Sequence, residues 1–406
     1  MSNQIPERQM AKPNQAISFS SVPSGLVGAW KRKRAIGVVS PAYGSEKVTY
    51  GLRPETYTYH KLYRVPLHRI ERQGTFWKFT PLVLDYPVEL VHSFNELPLG
   101  IRPFVVSFEN ELPRYLGSVK SWQTSIGFGL LATTRCRQIL ALTEIAAQSL
   151  KRNLESLGMP EVIHKVSVFR GAVLTMPTFE KPAEANRSAG SPLRVLFVGR
   201  DPFGKGLLPA LDALDDCRAL GAAIQATIVC NFETRDYISK GRDPDVAALK
   251  EKMGRNPDIA HHHLLSNQDI HRLMQSHDVL VFPTLDESLG WVAVEAAMAG
   301  MPVIATDIYA IPELVVHNTT GFLIPLRKNE TSRWVGLWLD GVEFDQEVAA
   351  TFATIREHLT QHLLRLVENP SMICSMGLAA RRHIEKLYCA SDARRQLEEI
   401  YAAAIT

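Results

Sequence analysis

Short apolar runs rich in Val, Ile, Leu and Phe alternate along the chain with longer stretches whose apolar residues recur at helical spacing. Runs unbroken by polar positions predict strands buried on both faces. In the first half they fall at Ala35–Ser40, Glu89–His92, Pro103–Phe108, Gln138–Leu142 and Lys165–Phe169. In the second half they fall near 194–199, 224–230, 279–283 and 302–306, with helical patterns between them. Such alternation predicts α/β architecture with parallel sheets. Between the halves, Thr175–Pro192 is rich in Pro, Ala and Ser and has neither helical nor alternating periodicity. That composition predicts a linker at 176–192 between domains at 35–175 and 193–382.

Length agrees with that division, because 406 residues exceed one comfortable core. Apolar content of 46% and charged content of 21% suit a globular protein, and no apolar run is long enough to span a membrane. The first thirty residues are polar and carry no signal-peptide core, so the expected location is cytoplasmic. Five scattered cysteines without paired spacing read as reduced thiols, not as a disulfide or zinc framework. Charge is unevenly shared. Residues 1–175 carry 22 Lys/Arg against 12 Asp/Glu, whereas residues 176–406 carry 23 against 30. A basic first half, with Lys31-Arg-Lys-Arg34 in a predicted arm at 1–34, suggests an anionic partner such as the inner membrane surface. No zinc finger or RNP sequence accompanies the charge, which disfavours nucleic acid.

The candidate chemistry lies at predicted strand ends. Val279–Phe282 is followed by Pro283, a loop with Glu287, and a helical pattern from Gly290 to Ala299 that Gly300 stops. Glu295 falls about two turns into that helix, so both carboxylates can face the crevice at the carboxyl end of a parallel sheet. One could accept hydrogen bonds from sugar hydroxyls and the other from a ribose diol. The N–H groups of Ser288, Leu289 and Gly290 could receive a phosphate at the helix N-terminus. Upstream, Arg194–Gly199 is followed by Arg200-Asp-Pro-Phe-Gly-Lys205, whose two cations could clamp a diphosphate.

Together these residues resemble the E-x7-E signature and the Arg/Lys pair of retaining GT-B glycosyltransferases, in particular family 4. The resemblance covers roughly residues 35–400, is specific from 194 to 325, and is weak before that. It implies two Rossmann-like domains facing a cleft, with a C-terminal helix at 383–406 crossing back onto the first. It implies transfer from a nucleoside-diphosphate sugar, with retention of configuration, to a glycan or lipid-linked hydroxyl acceptor. No cofactor and no separate metal are expected. Glu287 would hold the donor sugar, Glu295 the ribose, Arg200 and Lys205 the diphosphate, and the segment through Leu264 and Leu265 the base.

The first half departs from the family pattern. Ser40-Pro-Ala-Tyr-Gly44 has one glycine where many relatives carry two; Gly44 could still admit the donor phosphate. Glu109 stands where many relatives have a histidine near the sugar, and His92 ends a predicted strand facing the same cleft. Asp243-Pro-Asp245 has a metal-binding form but lies away from any strand end. His261-His-His263 do not share one face. Residues 327–370 form an extra segment with no function legible in the sequence. A sugar-nucleotide epimerase, or a degenerate domain that only binds sugar nucleotide, are the alternatives.

Overall fold

The computed structural model of this chain describes residues 33–39, 49–69, 75–84, 86–115, 120–173 and 191–406. The predicted arm up to Arg32, the turn with Gly44 and nearly all of the predicted linker lie outside the described residues. The chain divides into Met1–Lys33 and Arg34–Thr406, and the second unit holds both sheets.

In the first sheet the strands are β1 (Arg34–Val39), β2 (Tyr57–Leu62), β3 (Leu90–Phe94), β4 (Phe104–Phe108), β5 (Cys136–Ala141) and β6 (Val166–Val168), in the order β2-β1-β3-β4-β5-β6. In the second they are β7 (Leu193–Val198), β8 (Ile224–Val229), β9 (Ile259–His262), β10 (Val279–Phe282), β11 (Val303–Thr306) and β12 (Gly321–Ile324), in the order β12-β11-β10-β7-β8-β9. Every pairing is parallel. The central strands β3, β4, β10 and β11 are buried at every position, which is why they read as runs dominated by apolar residues, with His92, Ser93, Ser107 and Thr306 buried among them. Three strands escape that signal. All three are sheet edges; β2 and β9 carry polar residues that an edge tolerates, such as His60, Lys61, His261 and His262, whereas β12 is apolar but only four residues long and begins at Gly321.

Eight helices of eight residues or more serve the description below. They are α1 (Ser121–Ala132), α2 (Glu144–Ser156), α3 (Leu207–Ala219), α4 (Asn267–Ser276), α5 (Trp291–Met298), α6 (Gly341–Glu368), α7 (Ser371–Leu387) and α8 (Ala390–Ile405). Thr143 caps α2 by accepting the Ala146 N–H, and Ser266 caps α4 by accepting the Asp269 N–H. The extra segment at 327–370 becomes a 3₁₀ turn, Val335–Trp338, and the long helix α6. Phe344, Ile355, Leu359, Leu363 and Leu366 of α6 lie on one stripe and are buried in the second domain's core.

The chain returns to the first domain as expected. Ala393, Leu397, Ile400, Tyr401 and Ala404 of α8 pack onto Ile36, Leu90, Val105 and Leu140 of the first sheet. Burying Leu397 and Ile400 contributes roughly 1.5–3 kcal/mol per side chain. The crossing begins at Ala390, after a break at Tyr388–Cys389, and not at 383; Ile384 still belongs to the second domain's core.

Candidate functional site

The carboxyl ends of β7 and β10 open into a cleft of about 490 Å³ between the sheets. Two loops meet there. Residues 199–206 follow β7, and Gly206 (φ 68°) brings them against β10, since a Cβ at this position would stand 2.3 Å from the Pro283 carbonyl oxygen. Asp201 pins the same loop from inside: it is buried and accepts the Phe203 N–H at 3.0 Å. Burial raises the pKa of its carboxyl, against the Gly204 and Phe203 N–H groups that favour the charge. Residues 283–290 follow β10 and turn into α5 at Gly290, which has φ 74°.

Where the loops meet, Lys205 and Glu287 form an ion pair at 2.8 Å, with side chains 14% and 20% exposed. The Lys205 ammonium also donates to Thr284 Oγ1 and to the Asp286 carbonyl, both at 3.1 Å. Burial alone would raise the Glu287 pKa, but Lys205 and the N–H groups of Ser288 and Gly290 outweigh it and hold the carboxyl below its ordinary value. This arrangement corrects one expectation. The Ser288 N–H, expected to receive a phosphate, donates to Glu287 Oε1 at 3.1 Å, so the anion seat at the α5 N-terminus holds this protein's own carboxylate. Leu289 differs too. Its side chain is buried against Phe94 and Leu142 of the first domain and does not line the cleft.

Glu295 faces the cleft from α5, with its carboxylate 3.8 Å from His271 Nε2 on α4. Burial raises its pKa, and His271 opposes the rise. Arg200 stands at the mouth, 68% exposed, with Glu233 at 4.0 Å. Leu264 and Leu265, between β9 and α4, line the far end beside His263. Arg200, Lys205, Glu287, Ser288, Glu295, Leu264 and Leu265 therefore share one cavity.

Two candidates from the first domain do not join it. His92 is fully buried beneath α8, with Nδ1 2.7 Å from Tyr401 Oη and Nε2 2.8 Å from Ser107 Oγ. Burial lowers its pKa to about 3, so it is a neutral core residue and not a cleft base. Glu109 is held by Arg114 at 3.3 Å and by Asn95, whose Oδ1 accepts the Glu109 N–H at 3.0 Å. The residues that reach the cleft from this loop are Asn110 and Arg114. Asn110 Nδ2 donates to Ser288 Oγ at 2.8 Å and joins the two domains. Neither was visible in the sequence, since β4's pattern ends at Phe108 and nothing marks which residue of the loop turns inward. Arg235, after β8, also lines the cleft; a rule that inspects every strand end would have found it.

The other sequence motifs serve the backbone. Asp245 caps the helix Val246–Gly254, and Asp243 accepts from Ser239 Oγ at 2.9 Å. His261 Nε2 lies 3.0 Å from the Cys230 carbonyl oxygen. Among the described residues no group of three His, Cys, Asp or Glu is placed to hold a metal ion, no helix is long and apolar enough to cross a membrane, and the five cysteines are unpaired. A second contact between the domains is Glu313. It accepts the N–H groups of Glu144 and Ile145 at the start of α2, at 3.1 and 3.0 Å, and pairs with Arg170 at 2.8 Å.

Residues 179–334 match the family model described as "Glycosyl transferases group 1". The amylovoran biosynthesis glycosyltransferase AmsK of Erwinia amylovora is 26% identical over 216 residues, which is 52% of this chain and 44% of that protein. The chain thus spans less than half the length of that curated relative. Among solved structures, HepE of Anabaena in complex with UDP-glucose has a TM-score of 0.54 at 14% identity, over 91% of this chain and 99% of that one. Sucrose-phosphate synthase of Thermosynechococcus elongatus has a TM-score of 0.56 at 15% identity, over 91% of this chain and 98% of that one. The fold is GT-B: two parallel-sheet α/β domains of six strands each.

Proposed function

We propose that the cleft binds a nucleoside-diphosphate sugar and that the protein transfers the sugar to a hydroxyl acceptor. The observation that carries this reading is the Lys205–Glu287 pair at the junction of two strand-end loops, with Glu295 in the same cavity. Arg200, Lys205 and Arg235 supply positive charge for the diphosphate, and Glu287 takes a sugar hydroxyl. Glu295 accepts the ribose diol, and the backbone near Leu264 and Leu265 runs beside the base. As the bond from the anomeric carbon to the diphosphate breaks, its electron pair stays on the diphosphate, where the cations stabilise it. The acceptor oxygen forms the new bond, and its proton leaves with the diphosphate. Family resemblance supports retention of configuration, and the cations make a separate metal unnecessary for neutralising the leaving group.

UDP is the first nucleotide to test, because HepE was solved with UDP-glucose. AmsK and sucrose-phosphate synthase are named as a transferase and a synthase, which does not favour an epimerase or a binding protein. Calorimetry with UDP and GDP, followed by nucleotide release from a panel of nucleotide sugars, tests the reading. Binding of neither nucleotide would sink it. The basic first half further supports peripheral contact with an anionic membrane at the cytoplasmic face. Equal sedimentation with anionic and neutral vesicles at low salt would remove that part.

A further inference from the structure

A second cavity, of about 640 Å³, adjoins the cleft and shares Asn110 with it. Its walls come from α1 and α2 on one side and from residues 309–338 on the other. Asn110 marks the junction. Its Nδ2 is engaged by Ser288, but its Oδ1 is buried and has no hydrogen-bond partner. Ser149 Oγ, on α2 and in the same cavity, is also buried without one. A buried polar atom left unpaired costs about 1–3 kcal/mol, so both side chains gain by turning towards a ligand that brings hydroxyl groups into the cavity.

The opposite wall presents an indole. Trp338 is 57% exposed at the end of the 3₁₀ turn, and the turn is held firmly. Trp334 is fully buried and donates from Nε1 to Thr351 Oγ1 at 2.9 Å. Gly336 lets that ring lie against the backbone, since a Cβ there would stand 2.2 Å from it. Lys240 holds the Leu339 carbonyl and Asp340 just beyond. An exposed aromatic side chain on a held turn, sharing a cavity with polar groups, suits a ring with an apolar face and a hydroxylated edge. Charge narrows the class. Arg152 and Arg333 are balanced by Glu111 and Glu330, and Arg333 is already held by Asp286 at 2.8 Å and by the Tyr309 ring at 4.3 Å.

We propose that this cavity receives the acceptor as an uncharged saccharide, with a ring face on Trp338 and the reacting end directed towards Asn110, where the cavity meets the cleft. The assignment of an acceptor rests on the transferase reading above; the saccharide site itself does not. The extra segment at 327–370 then has a task, because α6 and Trp334 exist in part to hold Trp338 at the cavity.

Saturation-transfer NMR tests this on the whole protein, with methyl glycosides of glucose, galactose, mannose and N-acetylglucosamine and their disaccharides. At least one sugar should give signal that persists under saturating UDP. Trp338→Ala should weaken its binding at least tenfold and leave UDP affinity unchanged, and Trp338→Phe should recover part of the loss. The exposed position makes misfolding of these variants a poor explanation, and an unchanged thermal scan will exclude it. Signal that UDP abolishes, binding unaltered in Trp338→Ala, or no signal from any sugar would each overturn the proposal. If UDP fails to bind but sugar binding depends on Trp338, the donor reading falls and the saccharide site stands.

Discussion

Replacing Lys205 by Ala removes an ammonium that three oxygens surround, and it should act in two separable ways. The first is on stability. Glu287 loses its cation but keeps the Ser288 and Gly290 N–H groups, so its carboxylate becomes under-satisfied, at a cost of about 1–3 kcal/mol. The lower end of that range applies, because a fifth of the side chain is exposed and water can reach it. The second effect is on turnover. Losing one donor to the charge that develops on the leaving group typically costs about 2.7–4 kcal/mol, or a factor of roughly 10² to 10³ in rate. A double-mutant cycle separates the two. Glu287→Gln added to Lys205→Ala removes the stranded charge and should restore much of the thermal stability. Nucleotide release with a matched acceptor should stay as low as in Lys205→Ala or lower. If the double variant regains stability and activity together, the single variant was inactive because its apo site was disrupted, and the diphosphate clamp is wrong.

Glu295→Gln should weaken UDP binding by roughly 1.5–3 kcal/mol, the range for a hydrogen bond to a charged group. Because burial raises the Glu295 pKa, wild-type UDP affinity should fall as pH drops through that raised value, and the variant should lose this slope; calorimetry across pH reads both. His92 titrates near 6.5 when unfolded and at about 3 when folded, so the unfolded state binds the proton first. Its neutral form therefore costs nothing above pH 6.5, and stability declines from there towards pH 3 by a few kcal/mol. Acid unfolding of wild type and His92→Gln should differ in slope across that window, and identical slopes would remove His92 from the account. Glu313→Gln keeps one acceptor for the two α2 N–H groups but weakens the pairing with Arg170, so solution scattering should report a more open molecule. UDP affinity should hold while turnover drops several-fold; an unchanged scattering profile would show that other contacts set the domain closure.

Sequence alone carried the elements whose environment is uniform along the chain. β3, β4, β10 and β11 are buried at every position and β7 and β8 at most positions, so burial wrote itself into runs dominated by apolar residues. Glu287, Glu295, Arg200 and Lys205 were legible because each sits at a fixed offset from such a strand, and a parallel sheet gathers its carboxyl ends at one crevice. What the sequence could not carry were contacts between elements far apart in the chain. His92 looked like a cleft residue until α8, more than three hundred positions later, placed Tyr401 on it. Glu109 and Asn110 are neighbours in sequence, yet the partners across the domain boundary decide that Asn110 meets Ser288 and lines the cleft while Glu109 turns to Arg114. Likewise, the Ser288 N–H reads as an anion seat until the loop's own curvature returns Glu287 to it. Periodicity records whether a residue is buried, whereas direction and partner depend on how the two domains close on each other, and that is settled only in three dimensions.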